Sequence, residues 1–415
     1  MLASAGLLLV WVLVLVASTA AGAAPLVINA NSADPAPRAA WEAAVERFQR
    51  ENPDIQVQFN VYDHESYKKA IRNWLTGAPP DVVFWFAGHR MRQFVTPGLL
   101  EDVSDLFAPE VKAAFHPSVI EHVSLGGRQY GMPYTMYQIG LYHRRDLLAE
   151  AGVGDPIRTW SQLVTACDLL KAKGVEPIAI GTRDLWPTAA WFDYLDLRQN
   201  GLGFHMQLMQ GRVGYTDARV RTVFGLWRQL VERGCFSRNH ASSSWQESQA
   251  LMYEGKAAMM LIGNFIAANF PASVRDRMDF MPFPVVTDAV GRFEDAPVNS
   301  VHVPGGARNK RDARRFLAFV ARADVQEALN KGMLQIPTHR GAAPAPDRFL
   351  VKGSALLAGA DGLAQYFDRD TSEDLANVAM KGFQEFMVYP SRLESILVTI
   401  ERARARIYGR PAAGP

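Results

Sequence analysis

Aromatic side chains stand beside polar ones at several points where an apolar run of the chain ends. They are Trp85, Phe86, Tyr134, Tyr137, Trp186, Trp191 and Asp193 within the stretch 183–194, and Asn264. Flat rings stack on the C–H faces of a ligand, while carboxylates, amides and guanidinium groups hold its hydroxyl groups in fixed positions. This combination of residue types suits a carbohydrate ligand.

The segment 79–90, with the sequence PPDVVFWFAGHR, predicts a buried strand. Residues 82–86 form an unbroken apolar run behind Asp81, rich in β-branched and aromatic residues. A run that is apolar on both faces is typical of a central strand covered by helices. Ligands of open α/β sheets lie beyond the carboxyl ends of the strands. Trp85 and Phe86 are therefore either core residues or one wall of a ligand site, and the similar ends of the other strands favour the ligand site.

The order of elements before this strand indicates a parallel sheet. Residues 26–30 predict a strand, and the apolar positions 41, 45 and 48 predict a helix. A second strand is predicted over 55–62, followed by a helix with apolar positions 67, 71 and 75. Alternating strands and helices are typical of α/β folds with right-handed crossovers.

The later part of the chain predicts a second group of strands and helices. Short apolar runs predict strands at 139–142, 177–181 and 257–263, and the stretch 182–194 is expected to be a loop at a strand tip. Helices are predicted at 160–171, 193–209, 218–233, 249–254, 312–319, 325–329, 372–387 and 391–407.

The first 24 residues predict a secretory signal peptide. Residues 7–16 are almost continuously apolar, and a run of small residues with an A-x-A site follows at 21–23. No cysteine follows that run, which argues against a lipid anchor. No later segment has 18 consecutive apolar residues. We expect an exported, soluble, periplasmic protein.

Composition limits the classes of function. The remaining chain of about 390 residues is too long for one compact core and indicates two lobes. A net charge of +2 with 21% charged residues disfavours nucleic-acid binding. Cys167 and Cys235 face an oxidising compartment, where they either pair or remain two buried thiols.

Motifs for common catalytic and cofactor chemistry are absent from the sequence. There is no G-x-G-x-x-G after a strand, no phosphate loop, no G-x-S-x-G, and no H-E-x-x-H among the nine histidines. We expect no cofactor and no metal. Asp184, Asp193 and Asp196 are the candidates for an alternative function, a secreted carbohydrate-active enzyme. A lone Asp on an aromatic-rich loop more often accepts hydrogen bonds from substrate hydroxyls, so we expect no catalysis.

Nearly the whole mature chain resembles the extracellular solute-binding proteins of sugar ABC importers, of the maltose-binding-protein-like family. The resemblance rests on the order and spacing of six stretches rather than on any one of them. These are WEAAVERFQRENPDIQV (41–57), APPDVV (78–83), YGMPY (130–134), GLYHRRDLL (140–148), TWSQL (159–163) and YEGKAAMMLIG (253–263).

The resemblance implies an α/β, two-lobed periplasmic-binding-protein fold of type II. Each lobe is then a mostly parallel sheet flanked by helices, with three interlobe crossings near 133–134, 284–287 and 336–337. Lobe one is expected to hold residues 26–134 and 286–335, and lobe two residues 135–285 and 336–412. The family captures a mono- or oligosaccharide in the cleft and delivers it to the transmembrane subunits of an ABC permease, as a monomer and without nucleic acid.

Carried over by position, the resemblance also implies a set of cleft residues. His89, Arg90 and Arg183 leave room for an acidic or phosphorylated ligand. The expected ligand-binding residues are Asp34, Trp85, Phe86, Tyr134, Tyr137, Trp186, Trp191, Asp193, Asn264 and Asn299.

Overall fold

The computed structural model describes residues 24–409, so the predicted signal peptide, residues 1–24, lies outside the described residues except for Ala24. The strands are β1 (Leu26–Ala30), β2 (Val57–Val61), β3 (Val82–Phe86), β4 (Ser124–Leu125), β5 (Arg128–Gln129), β6 (Met132–Met136), β7 (Ile139–Arg144), β8 (Glu176–Ile178), β9 (Ala257–Gly263), β10 (Met278–Met281), β11 (Phe293–Asp295), β12 (Val298–His302) and β13 (Gly362–Ala364).

The helices account for most of the regular structure. They are α1 (Pro35–Glu51), α2 (His64–Thr76), α3 (His89–Val95), α4 (Pro109–Ala113), α5 (Pro117–His122), α6 (Arg145–Glu150), α7 (Trp160–Ala172), α8 (Pro187–Gln199), α9 (Gly201–Met209), α10 (Ala218–Glu232), α11 (Trp245–Tyr253), α12 (Ala272–Arg275), α13 (Lys310–Val320), α14 (Ala323–Met333), α15 (Arg348–Ala358), α16 (Phe367–Asp370), α17 (Glu373–Val388) and α18 (Leu393–Tyr408). None of these helices is long and apolar enough to cross a membrane.

The first lobe is built on a five-stranded sheet in the order β2-β1-β3-β12-β6. Every residue of β3 is buried, because β1 and β12 flank it and helices cover both faces. Asp81, just before β3, accepts backbone N–H groups from Val27 at 2.9 Å, Arg308 at 3.1 Å and Asn309 at 2.8 Å. This carboxylate therefore ties the start of the strand to the approach to α13.

The second lobe is built on a four-stranded sheet in the order β10-β7-β9-β8. Its core includes α8, in which residues 187–198 are all buried. A disulfide joins Cys167 on α7 to Cys235, just after α10. Of the two states that the sequence allows for these cysteines, the structure contains the paired one.

Both sheets are mixed, so the prediction of mostly parallel sheets is wrong. In the first lobe β1, β2 and β3 run parallel, but β12 is antiparallel to β3 and to β6. In the second lobe only β8 and β9 are parallel. The physical reason is the connectivity, since strands that enter a lobe after an interlobe crossing arrive from the cleft side and run opposite to their neighbours.

The crossings differ from the predicted positions. Strand β6 continues to Met136, and β7 begins in the other lobe at Ile139. Residues 285–295 stay on the second lobe, because Val285 bonds with Arg158 and β11 pairs with β13. Residues up to 340 stay on the first lobe, where the Arg340 N–H donates to the Ala114 carbonyl at 2.7 Å. The crossings therefore fall at 137–138, at 296–297 and after residue 340.

Candidate functional site

A cavity lies between the two lobes, where β3, β12 and the starts of α1 and α2 face α8, α11 and α16. Its volume is about 160 Å³, many times the space that one buried water needs.

The second lobe and the first interlobe crossing supply an aromatic wall, which we define as Tyr137, Trp186, Trp245, Phe265 and Tyr366. The Trp245 and Phe265 ring centres are 5.4 Å apart at 80°, and those of Tyr137 and Phe265 are 5.4 Å apart at 88°. Trp186 meets Trp245 edge-on at 6.2 Å. Rings in these edge-to-face arrangements stabilise one another beside the cavity.

The first lobe supplies a polar wall, which we define as Asn31, Ser32, Asp34, Asp63, His64 and Lys68. The Asp34 side chain makes no cap bond to α1, so its oxygens remain open to a ligand. Asp63 caps α2 by accepting the N–H groups of Glu65 at 3.1 Å and Ser66 at 3.0 Å. The wall therefore offers both fixed and open hydrogen-bonding groups.

Burial and neighbouring charges shift the pKa values of three groups in the polar wall. Burial, with the nearby Lys68 and Arg369 charges, lowers the pKa of His64 to about 3, so the ring is neutral at neutral pH. Backbone donation by Ser66 lowers the pKa of Asp63. Burial and the Asp63 charge raise the pKa of Asp34. A neutral imidazole can both donate and accept, which suits hydroxyl groups.

Arg369 on α16 is the buried cation of the site and is 5% exposed. Its guanidinium donates to Asn299 Oδ1 at 3.0 Å and to the Tyr137 hydroxyl. Its Cζ lies 4.2 Å from the centre of the Phe86 ring. No carboxylate of the described residues lies within salt-bridge distance of it. The guanidinium is therefore oriented by neutral groups, and its charge is not cancelled.

Six of the predicted site residues line the cavity: Asp34, Phe86, Tyr134, Tyr137, Trp186 and Asn299. Trp186 is half-buried, and its Nε1 donor has no partner among the described residues. An unpartnered buried donor next to a cavity costs free energy unless a ligand or water accepts from it.

The other four predicted residues lie outside the cavity lining. Trp85 precedes Phe86 on β3, and successive side chains of a strand point to opposite faces, so only Phe86 reaches the cavity. Trp85 instead packs on Phe94 with ring centres 5.6 Å apart. Asn264 is fully buried and donates to the Leu334 carbonyl at 3.0 Å, so it joins the lobes rather than facing a ligand.

Trp191 and Asp193 lie in α8, because the predicted loop is a helix from Pro187 onward. Proline is well tolerated in the first turn of a helix, so Pro187 starts α8 rather than ending a loop. Trp191 is 1% exposed and packs on Phe236 and Phe283. Asp193 is fully buried and accepts the Phe367 N–H at 2.6 Å. Neither side chain reaches the cavity.

Sequence reasoning missed several residues of the lining. Lys68 and His64 lie on the first turns of α2. The only sequence feature that indicates their position is Asp63, which caps this helix where it starts at the sheet edge. Trp245 follows the Ser244 capping box of α11. The missed polar and aromatic residues are Asn31, Ser32, Trp41, Asp63, His64, Lys68, Trp245, Gln246, Phe265, Gln335, Tyr366, Asp368 and Arg369. The missed apolar residues and glycine are Ala33, Pro37, Ile139, Ala190, Ile262, Gly263 and Met333.

The candidate catalytic carboxylates are not arranged for glycoside cleavage. Asp193 and Asp196 are fully buried behind the aromatic wall, and Asp184 lines a neighbouring groove rather than this cavity. Among residues 24–409, no group of three His, Cys, Asp or Glu side chains is placed to hold a metal ion. The arrangement of the lining favours recognition of a polar, ring-shaped solute.

Comparison with known proteins gives a consistent result. The family model described as bacterial extracellular solute-binding protein matches residues 32–327. An uncharacterized ABC transporter extracellular-binding protein of Pyrococcus horikoshii is 23% identical over 315 residues, which cover 74% of this chain and 70% of the relative. The maltotriose-binding protein of Pyrococcus abyssi is 20% identical over 313 residues, 71% of this chain and 63% of the relative.

Solved structures resemble the chain over both lobes. The bacterial solute receptor AcbH, described as having an exclusive preference for β-D-galactopyranose, is 26% identical with a TM-score of 0.88, covering 92% of this chain and 99% of that one. A chitin oligosaccharide binding protein is 21% identical with a TM-score of 0.82, covering 92% and 99%.

Proposed function

Because the chain belongs to the bacterial extracellular solute-binding protein family, we propose that it captures a mono- or oligosaccharide in the cavity between its lobes. The prediction of this family and of its two-lobed type II fold is confirmed. The protein serves as the substrate-binding component of an ABC importer and hands its ligand to the transmembrane permease subunits. It is exported and works as a soluble monomer in the periplasm.

The observation that carries the proposal is the pairing of the aromatic wall with the polar wall. The rings of Trp186, Trp245 and Phe265 offer faces to the C–H groups of a sugar. Across the cavity, Asp34, His64 and Lys68 offer acceptors and donors to its hydroxyl groups. A purely apolar ligand leaves those groups unpaired.

Three side chains supply the specific polar contacts in this proposal. Trp186 Nε1 donates to one hydroxyl, since it has no partner among the described residues. Arg369 donates to another, because its guanidinium is already oriented by Asn299 and Tyr137. Asp368, 7% exposed and beside Arg369, accepts from a third. Hydrogen bonds to charged groups contribute about 1.5–3 kcal/mol each when water is excluded.

Binding and delivery are coupled through closure of the lobes. A ligand that touches both walls binds the closed state more tightly and therefore selects it. The permease then distinguishes the loaded protein by the relative position of the two lobes. Trp186 and Asp34 come from different lobes, so one sugar ring that contacts both is the element that closes the cleft.

A thermal-shift panel followed by isothermal titration calorimetry tests the proposal. The panel holds D-galactose, xylobiose, chitobiose, maltotriose, glucuronate, glutamate and putrescine. A ligand at about 100 times its Kd stabilises the folded state by about 2.7 kcal/mol, which gives a clear shift. We call the sugar with the largest shift the reference sugar. Stabilisation by glutamate or putrescine but by no sugar contradicts the assignment.

A further inference from the structure

We propose that a buried carboxylate–histidine cluster in the second lobe is a positioning device for the binding site. The cluster consists of Asp193, Asp196, His205, Asp295 and Asp370, and it holds the segment 365–370. That segment carries Tyr366, Asp368 and Arg369 into the cavity. The proposal rests on the proposed function for its effect on affinity, but the positioning itself is independent of the ligand.

The segment is held by Asp193, which lies behind the cavity, and by Asp370 at the segment's own end. Asp193 Oδ2 accepts the Phe367 N–H at 2.6 Å, and Asp370 Oδ2 accepts the Gln365 N–H at 2.8 Å. Both accepting residues are at most 8% exposed. Two buried, charge-capable acceptors therefore fix the backbone on either side of Tyr366.

The same segment reaches the hinge. Gln365 Oε1 accepts the Val298 N–H at 3.1 Å, and its Nε2 donates to the Ala296 carbonyl at 3.3 Å. Ala296 lies in the second interlobe crossing and Val298 follows that crossing, which we call the hinge. The Tyr366 hydroxyl donates to the Trp186 carbonyl at 2.7 Å. Displacement of the segment therefore changes the aromatic wall and the hinge together.

The cluster has buried polar atoms that lack partners among the described residues. Asp196 Oδ2 lies 2.9 Å from His205 Nδ1, and Asp193 Oδ1 lies 3.8 Å from His205 Nε2. Asp193 Oδ1, His205 Nε2 and both carboxylate oxygens of Asp295 have no hydrogen-bond partner. Asp193, His205 and Asp295 are 0% exposed. A group of acids in this state is stable only while some of them keep their protons.

The carboxyl groups of the cluster titrate together, because they are buried and close to one another. Burial raises the pKa of Asp295 to about 8, with Asp370 and Glu294 adding to the shift and His205 opposing it. Burial raises the pKa of Asp193 and of Asp370 as well. The titratable and charged groups that face the cluster from around it are Arg92 on α3, Tyr137, Tyr194 and Arg198 on α8, Tyr215, Arg219 on α10, Glu294 on β11, and Tyr366.

Loss of a proton from the cluster adds a buried negative charge to the group formed by Asp193, Asp295 and Asp370. Repulsion then opposes the two acceptor contacts that hold Phe367 and Gln365 in place. The segment loosens as the pH rises through about 8, and Arg369 loses its fixed position in the cavity. The cluster thus acts through the segment. None of its carboxylates lines the cavity itself.

Hydrogen exchange at the Gln365 and Phe367 amides tests the positioning without any ligand. In the wild type we expect the amide exchange rates, corrected for intrinsic rates, to rise about tenfold between about pH 7 and pH 9. With a pKa of about 8, the fraction of the cluster that has released its proton rises about tenfold over this range. Asp295→Asn keeps the side-chain shape and should abolish the rise. Asp193→Asn should raise exchange at Phe367 at both pH values. Wild-type pH dependence in Asp295→Asn overturns the proposal.

Affinity for the reference sugar provides the second readout. We expect the wild-type Kd to increase about tenfold from pH 7 to about pH 9, and the Asp295→Asn Kd to stay flat. Asp81→Asn is the matched control, since Asp81 is also buried and accepts backbone N–H groups but lies in the first lobe. It should lower stability and keep the wild-type pH profile. If no sugar binds, the proposed function fails and the exchange experiment alone decides the positioning.

Discussion

Arg369 of the second lobe lies over Phe86 at the end of a first-lobe strand, with its Cζ 4.2 Å from the ring centre. The same guanidinium donates to Asn299, the residue paired with Phe86 across β3 and β12. A cation–π contact and a hydrogen bond therefore converge on one charged group at the junction of the lobes. This junction is where ligand binding and lobe closure meet.

Arg369→Lys should weaken binding of the reference sugar by about tenfold to a hundredfold. Lysine keeps the charge but loses the planar fork that engages Asn299 and Tyr137 together. Calorimetry measures the change. Arg392→Lys is the matched control, because Arg392 also stacks on a ring, Tyr389 at 4.5 Å, but on the exposed surface. Equal losses of affinity in the two variants contradict the prediction.

Trp186→Ala and Trp191→Ala should separate binding from stability. Trp186 is half-buried in the cavity lining, so its loss should raise Kd by about tenfold or more, a change of about 1.4 kcal/mol. Trp191 is a core residue at 1% exposure, so its loss should cost about 3–5 kcal/mol of stability. Chemical denaturation and calorimetry on both variants test this. The reverse pattern places Trp191 at the ligand.

Trp85→Ala should mainly lower stability, although the sequence predicts Trp85 as a ligand contact. The ring is 2% exposed, its Nε1 donates to the Arg90 carbonyl at 3.1 Å, and it packs on Phe94. We expect a loss of about 3–5 kcal/mol in the free energy of unfolding and a smaller effect on affinity. Denaturant titration measures the first quantity. A large loss of affinity with near-normal stability restores Trp85 to the site.

Glu373→Gln should shift the lobes toward an open arrangement. Glu373 on α17 of the second lobe contacts Arg90 at 3.4 Å, Arg72 at 3.2 Å and Gln93 at 3.1 Å, all on the first lobe. Removing the charge lowers the fraction of free protein in the closed state. The apparent Kd rises by the factor by which this fraction falls, which is about threefold for ion pairs of this exposure.

Small-angle scattering of the free protein, at low and high salt, measures that shift. Because salt screens partly exposed pairs, high salt should reproduce the effect of Glu373→Gln in the wild type. Glu385→Gln is the matched control, since its partner Arg392 at 3.2 Å lies in the same lobe. An unchanged radius of gyration in Glu373→Gln, with unchanged affinity, shows that these pairs do not hold the lobes together.

Asp295→Asn should stabilise the protein at alkaline pH. Burial raises the pKa of Asp295 from 3.8 to about 8. Below pH 3.8 the Asp295 carboxyl keeps its proton in both the folded and the unfolded protein. Between pH 3.8 and about 8 only the unfolded protein releases this proton, so the free energy of unfolding of the wild type falls as the pH rises toward 8. The variant lacks this loss. Denaturation near pH 4 and near pH 8 should show similar stabilities at the first and a more stable variant at the second.

The regular elements of the first lobe could be predicted from the sequence because their patterns are local. The apolar run at 82–86 and the spacing of positions 41, 45 and 48 match β3 and α1 as observed. In the second lobe the same holds for β9, whose seven apolar or small residues are all buried. Burial on both faces of a central strand leaves a continuous apolar run that needs no knowledge of the partner strands.

The faces of these elements and their non-local neighbours were decided by the tertiary structure. Trp85 and Phe86 are adjacent in the sequence, and only the pairing of β3 with β12 determines which of them faces the cavity. Arg369 lies in a four-residue helix without periodicity, yet it occupies the junction of the lobes because Asp193 and Asp370 hold its segment there. Local composition determined that aromatic and polar groups gather at strand ends. Long-range packing selected the ones that meet.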